Sequence, residues 1–275
     1  VRITTVCRKA EGMPRPQSPP DTRSLGPREH GAYGQLLAPL LSALLAGQPS
    51  LGAIALASAG VCAFLSHEPW AVLSGIRGSR ALRELRPLAI RRLAVLWSAT
   101  GLLGIAAFIQ LTFLARLTVL ALFCLGVATL ILGSRALMRS AIGEVWAGMV
   151  LAFLSVPVGI AAGLQLGTVL VMWISWTAVF AAGVFAVRGL ISREKPGSVR
   201  RALFGVGSVW LVLIAVAAQA PLVSLAVVPL AAACSVVALG GFSPRHLRRI
   251  GWTLMAASAF SSALMIVGVR LPLSS

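Results

Sequence analysis

Acidic residues are what this sequence has least of: 7 of its 275 residues are Asp or Glu, and no aspartate follows Asp21. Charged residues of both signs make up 11% of the chain, against about a quarter in an average soluble domain. Hydrophobic residues make up 58%, and the mean hydropathy is +0.91. A soluble globular domain is excluded by that balance. The four cysteines, Cys7, Cys62, Cys124 and Cys234, show no paired spacing, and neither CxxC nor HxxxH occurs. A zinc-type site, which needs ligands at short regular intervals, has no foothold. The last three cysteines lie in apolar runs and read as small hydrophobes. Walker loop, nucleophile elbow and zincin signatures are also missing, which removes the motifs of familiar soluble-enzyme chemistry.

Apolar runs are what the chain has in quantity. A membrane-crossing helix satisfies its own backbone and covers about 30 Å of hydrocarbon with roughly 20 residues. Nine candidate runs occur, at residues 33–47, 51–66, 93–110, 117–133, 145–163, 168–187, 203–218, 222–240 and 251–269. They predict an all-α, polytopic membrane bundle of about nine transmembrane helices forming one domain over residues 28–275. The first two runs are short, and "GQPS" between them marks either a tight turn or the tip of a hairpin that does not cross. The proline-rich residues 1–27 have too little apolar surface to fold alone and predict a disordered cytoplasmic tail. Residues 1–34 lack the continuous apolar core of a secretory signal peptide. Val1, as a translated alternative start codon, and Met13 are the two expected starts.

The net charge of +17 would suggest nucleic acid in a soluble protein, so its placement matters. No aromatic residues are interleaved with the basic ones as a base-stacking surface requires, and nucleic acid is not expected as a partner. The charges lie between the apolar runs. Segments 1–32, 67–92, 134–144, 188–202 and 241–250 hold 22 of the 24 Lys and Arg residues, leaving Arg116 and Arg270 on the other side. Because short cytoplasmic loops retain positive charge, this pattern predicts N-terminus in and C-terminus out, in the cell (inner) membrane.

Five of the carboxylates fall at or near the predicted cytoplasmic helix ends: Glu29, Glu68, Glu84, Glu144 and Glu194. An ionised group at membrane depth is costly unless paired or wetted. The stretch "GPREHGAYGQLLAP" sets Arg28, Glu29, His30 and Tyr33 at the mouth of the first run, and "SHEP" sets His67 and Glu68 at the end of the second. With Glu144 opening the fifth run and Arg188 closing the sixth, these groups predict one shared cytoplasm-facing cavity. Arg28, Glu29, Tyr33, Glu68, Glu144 and Arg188 are its candidate ligand-binding residues, and His30 and His67 its candidate acid/base groups. Each has a plainer reading. Arg28 serves as a topology determinant, Glu29 and Glu144 favour a helix dipole, and the histidines are interfacial hydrogen-bonding groups. Glu68 resists that treatment, because no dipole favours an acid at a helix C-terminus. Glu84, with Arg80 four residues earlier, reads as a surface pair. Residues 70–92 carry six arginines without a clean amphipathic stripe, and read as an interfacial loop holding anionic headgroups or as a phosphate site.

"PREHGAYGQLLAP", "HEP" at the end of the next run and "GEVWAG" opening the fifth resemble the YwiC-like family of bacterial integral membrane proteins, essentially from Pro27 onward. That resemblance implies a class and no activity. More distantly, residues 143–163 look like the Gly-Glu-initiated fifth helix of UbiA-superfamily prenyltransferases. The likeness implies nine helices around a cytoplasm-facing cavity, with Glu68 at the place of the first Asp-rich motif and residues 188–194 at the second. Those enzymes hold Mg²⁺ with several aspartates, and none follows Asp21 here. Two functions follow as expectations. One is a divergent UbiA-like enzyme acting on a lipid or isoprenoid; the other is a non-catalytic lipid- or quinone-binding, assembly or transport protein. The expected partners are membrane lipids, including anionic headgroups, and an isoprenoid or quinone-like ligand. No cofactor is named by the sequence.

Overall fold

Long apolar stretches in hydrocarbon have no water to satisfy their backbones, so each closes its hydrogen bonds within a helix. The computed structural model describes residues 30–133, 140–192, 197–240 and 242–271. Among these residues the chain forms eleven α-helices and no strand. In order they are α1 (His30–Ala46), α2 (Leu51–Leu65), α3 (His67–Leu73), α4 (Ser79–Gln110), α5 (Phe113–Gly133), α6 (Ala141–Phe153) and α7 (Ser155–Ala161). Then come α8 (Leu166–Ile191), α9 (Ser198–Ala217), α10 (Pro221–Leu239), a 3-10 turn (Pro244–His246) and α11 (Leu247–Arg270). Joined as Leu51–Leu73 and Ala141–Ala161, two helix pairs are single bent rods, so the described residues give eight helices long and apolar enough to cross a membrane. The ninth, α1, is shorter. The expected tail, residues 1–27, lies outside the described residues.

Both bent rods bend by the same device. Pro69 and Pro157 each stand third in the new helix, where the first turn has no intrahelical use for an N–H. Each also lacks the N–H that would have carried the previous helix through, so the axis kinks there. The hydroxyls of Ser66 and Ser155 donate to the carbonyls of Ala63 and Ala152, both at 2.6 Å.

Consecutive rods alternate in direction, and contacts at their ends show it. Tyr33 of α1 meets Phe64 of α2, Glu144 of α6 meets Arg188 of α8, and a small cavity is lined jointly by Gly189, Val199 and Val237 of α8, α9 and α10. All of these lie at one end, which carries the arginine-rich segments and is called the basic end below. At the far end, Gln48 N–H donates to Ala162 O at 2.7 Å and Ser50 Oγ donates to Ala161 O at 2.9 Å. Arg270 donates to Gly47 O at 3.2 Å. Short as it is, α1 therefore runs from the basic end to the far end. Its 17 residues reach about 25 Å at 1.5 Å per residue, close to the thickness of the hydrocarbon.

Packing is uneven. One core cluster joins α1, α8, α9, α10 and α11 around fully buried Met172, Trp176, Val179, Val227 and Met265. Small residues let these backbones approach: at Gly189 and Gly205 an added Cβ would collide with Ala202 and the Phe185 ring. A second cluster joins α1, α2 and α7 with the turn of α4 into α5, through Leu36, Leu56, Ala107, Leu111, Ala115 and Val158. Beyond that turn the two helices part: α4 packs on α2 and α3, whereas α5 packs on α6 and α7.

One expectation needs correcting. Residues 70–92 are not a loop, because α3 extends to Leu73 and α4 starts at Ser79. Gly75 and Gly78, at φ 75° and 92°, make a short turn between them, and the Ala, Leu and Arg residues that follow are strong helix formers. At 32 residues α4 is about 48 Å long, so its arginine-bearing first turns extend past the apolar stretch.

Candidate functional site

Helix α6 begins where Ser140 accepts from Gly143 N–H at 3.1 Å, which places Glu144 in the first turn, where a carboxylate suits the dipole. Its two oxygens receive Arg188 Nε and Nη2 from the last turn of α8, both at 2.8 Å. This bidentate fork joins two helices at the basic end and is partly open to water, with side chains 44% and 34% exposed for Glu144 and Arg188. At that exposure an isolated pair contributes little to stability, about 0–1 kcal/mol, and its geometry matters more than its energy.

Glu68 was expected at a helix end, with no dipole to favour it. It instead sits in the first turn of α3, because the chain continues helically past Ser66. Its residue surface is only 8% exposed, and both carboxylate oxygens are taken by Arg77, Nη2 to Oε1 and Nε to Oε2 at 3.2 Å. Arg77 comes from the turn between α3 and α4, so the pair fastens that turn onto its own helix. Glu84 pairs with Arg80 at 2.9 Å on the open face of α4, as the four-residue spacing predicts. Glu68 and Glu144 thus belong to different pairs. Among the described residues no group of three His, Cys, Asp or Glu side chains is placed to hold a metal ion.

Tyr33 is half-buried, edge-on to Phe64 with ring centroids 5.5 Å apart. Two residues on, Gln35 reaches the opposite neighbour, with its amide 3.7 Å from where a Gly148 Cβ would stand on α6. Gly148 is one turn beyond Glu144, so Gln35 and Glu144 approach the same stretch of α6. Gln35 was missed by the sequence reading, although it lies inside the same motif as Tyr33. The available signal was the i, i+4 spacing of Glu144 and Gly148, which puts a small residue beneath the acid. His67 is exposed, near Trp70 with ring centroids at 6.4 Å. Arg28 and Glu29, together with the side chain of His30 and the whole of Glu194, lie outside the described residues.

At the basic end, then, α1 stands between α2 and α6, with Tyr33 turned to one and Gln35 to the other. Beyond those two neighbours stand the diverging helices, α4 on α2 and α5 on α6. Gly101 and Gly104 of α4 and Gly126 of α5 have nothing within 4 Å of an added Cβ. Between α5 and α6, Trp146 Nε1 donates to Thr129 Oγ1 at 3.0 Å and holds that flank together.

These features define a multi-pass, all-helical membrane protein whose described carboxylates are ion-paired. Over residues 27–158, just under half of its length, the chain is similar to the family model described as YwiC-like protein. No curated protein and no solved structure matches the chain. The matched residues include α1 through most of α7, and with them Tyr33, Gln35, His67, Glu68 and Glu144; Arg188 lies beyond.

Proposed function

We propose that the protein binds an isoprenoid- or quinone-like amphiphile without transforming it, in the wedge between α4 and α5, in the cell membrane with the basic end toward the cytoplasm. The observation carrying this reading is the divergence of two consecutive helices that pack on different neighbours. Such a wedge offers apolar walls for a chain or ring, and on this reading Tyr33, Gln35, His67 and the open Glu144–Arg188 pair, all at the basic end, serve a polar head. Ligand pockets combine a mostly apolar lining with a few polar groups in this way. A binding role is favoured over magnesium-dependent prenyl transfer by the donor set. Among the described residues the carboxylates, Glu68, Glu84 and Glu144, are each held by an arginine, which favours binding over sharing Mg²⁺ with a diphosphate.

Photo-crosslinking with a benzoquinone bearing an isoprenyl tail tests the reading on the purified full chain. Labelling is expected on peptides of α4 and α5 and to be displaced by excess unlabelled quinone. Gln35→Ala and Glu144→Ala should lower labelling while membrane abundance stays normal. Uniform, undisplaced labelling of every lipid-facing helix overturns the reading. Turnover of an isoprenyl diphosphate with an aromatic acceptor and Mg²⁺ replaces it with the enzymatic one.

A further inference from the structure

Away from the wedge, the connection from α10 to α11 builds a second hollow. The α10 helix ends at Leu239, and Gly240 follows where any Cβ would run into the Phe242 ring. Glycine at that place lets Phe242 fold back toward the bundle, where it is half-buried against the core cluster of α8, α9 and α10. The 3-10 turn then carries the chain into α11. What is left between the two helices is a groove of about 530 Å³, walled by Val236, Val237, Phe242 and Ile250 and bordered by His246 and Arg249. That volume is within the roughly 300–1,000 Å³ typical of small-molecule sites.

We infer that this groove is a binding site for an anionic diacyl phospholipid, with an acyl chain on Val236, Val237 and Ile250 and its phosphate on Arg249. Charge complementarity points to the sign of the head. The sequence "RHLRR" puts Arg245, Arg248 and Arg249 within five residues, and no Asp or Glu occurs anywhere after Glu194. Every described carboxylate is held by another arginine, Arg77, Arg80 or Arg188. Three guanidinium groups therefore face this end of the bundle with no carboxylate among the described residues to neutralise them. A guanidinium binds phosphate oxygens through a planar two-pronged fork, which a zwitterionic head offers only beside its own cation.

Depth points to a lipid rather than a soluble anion. Trp252, 54% exposed, stands one turn into α11, and tryptophan gathers at the headgroup level of membranes. Arg249 lies just outside that level and Thr253, which also lines the groove, just inside it, so the groove straddles the boundary between head and chain. The arginines in the first turns of α4 make a contrast: Arg83, Arg86 and Arg91 are exposed on a helix extending past its apolar stretch. They can attract an anionic surface without seating a chain.

The test is native mass spectrometry of the purified full chain, titrated with phosphatidylglycerol or phosphatidylcholine. Wild type should retain one phosphatidylglycerol selectively. Arg249→Gln should weaken that retention about tenfold, the loss of one charge-assisted interaction. Val236→Trp, a substitution at a 58% exposed position that fills the groove from outside, should weaken it similarly with an unchanged melting temperature. Arg91→Gln should leave it unaltered. Equal retention of both lipids, an equal loss in Arg91→Gln, or displacement by millimolar inorganic phosphate would each overturn the proposal.

Discussion

Helices α4 and α5 each contain a stretch apolar enough to cross a membrane, as α8 and α10 do, yet they face different surroundings. Within their most hydrophobic windows, 6% of α4 and of α5 is buried inside the protein, against 50% of α8 and 44% of α10. Lipid tails are as apolar as leucine, so hydrophobicity alone does not pull helices together in a membrane; close steric fit does. The α8–α9–α10 seam has it, in Gly189 against Ala202 and Gly205 against Phe185. The exposed faces of α4 and α5 carry Leu102, Ile105, Phe113, Leu120 and Phe123, large side chains that keep other backbones at a distance. Composition at the seam, then, decides which helices form the rigid block and which stand apart.

The sharpest way to break that comparison is a pair of tryptophans. Trp176 is fully buried on Phe180, with ring centroids 5.4 Å apart, while Trp97 on α4 is 56% exposed. Trp176→Ala is expected to destabilise by about 3–5 kcal/mol, read as a lower melting temperature in detergent, and Trp97→Ala by less than about 0.5 kcal/mol. Similar losses from both would mean the two regions are packed alike. Trp176→Phe sharpens the point, because the indole N–H has no partner among the described residues; it should cost far less than the alanine.

Glycine pairs give the next largest contrast. Gly205→Ala should cost about 1–3 kcal/mol through overpacking against Phe185, and Gly104→Ala should be neutral or stabilising, since alanine is the better helix former and open space surrounds it. Thermal melts of the two variants decide. Within the Glu68–Arg77 pair the burial is unequal, 11% exposed for the acid side chain and 42% for the arginine. Arg77→Ala strands a carboxylate away from water, at about 1–3 kcal/mol, whereas Glu68→Gln leaves a cation that can still be hydrated. The order of their melting temperatures tests it. Of the changes expected to lower stability measurably, the smallest is Arg116→Gln, about 0.5–1 kcal/mol in a thermal melt, because its bonds are exposed.

Much of this was legible beforehand. Hydropathy located the rods, and the side-to-side bias of arginine ordered their ends, because both follow from the cost of charge in hydrocarbon. The ion pair of Glu84 with Arg80 was visible in the spacing. Glu68 was not, for a physical reason: "HEP" reads as a helix stop, but proline in a first turn is also a helix start, and only the packed chain says which. Its partner Arg77 arrives through a glycine turn whose direction no periodicity encodes. The Glu144–Arg188 fork spans 44 residues, and the sequence supplied both members at one end without joining them. Uneven packing was hidden altogether, since every span scores as apolar whatever lies beside it.

Arg116 has a consequence for the side from which the wedge is reached. Standing at the turn between α4 and α5, it donates to Phe108 O at 3.1 Å and Ile109 O at 3.2 Å, and its guanidinium lies over the Phe108 ring, 5.2 Å from the centroid. One side chain rivets the two rods where they meet. Like tongs fastened at the pivot, they stand furthest apart at the opposite leaflet, each tip resting on its own neighbour, so a guest entering sideways from the bilayer would meet the gap there and the closed joint behind it.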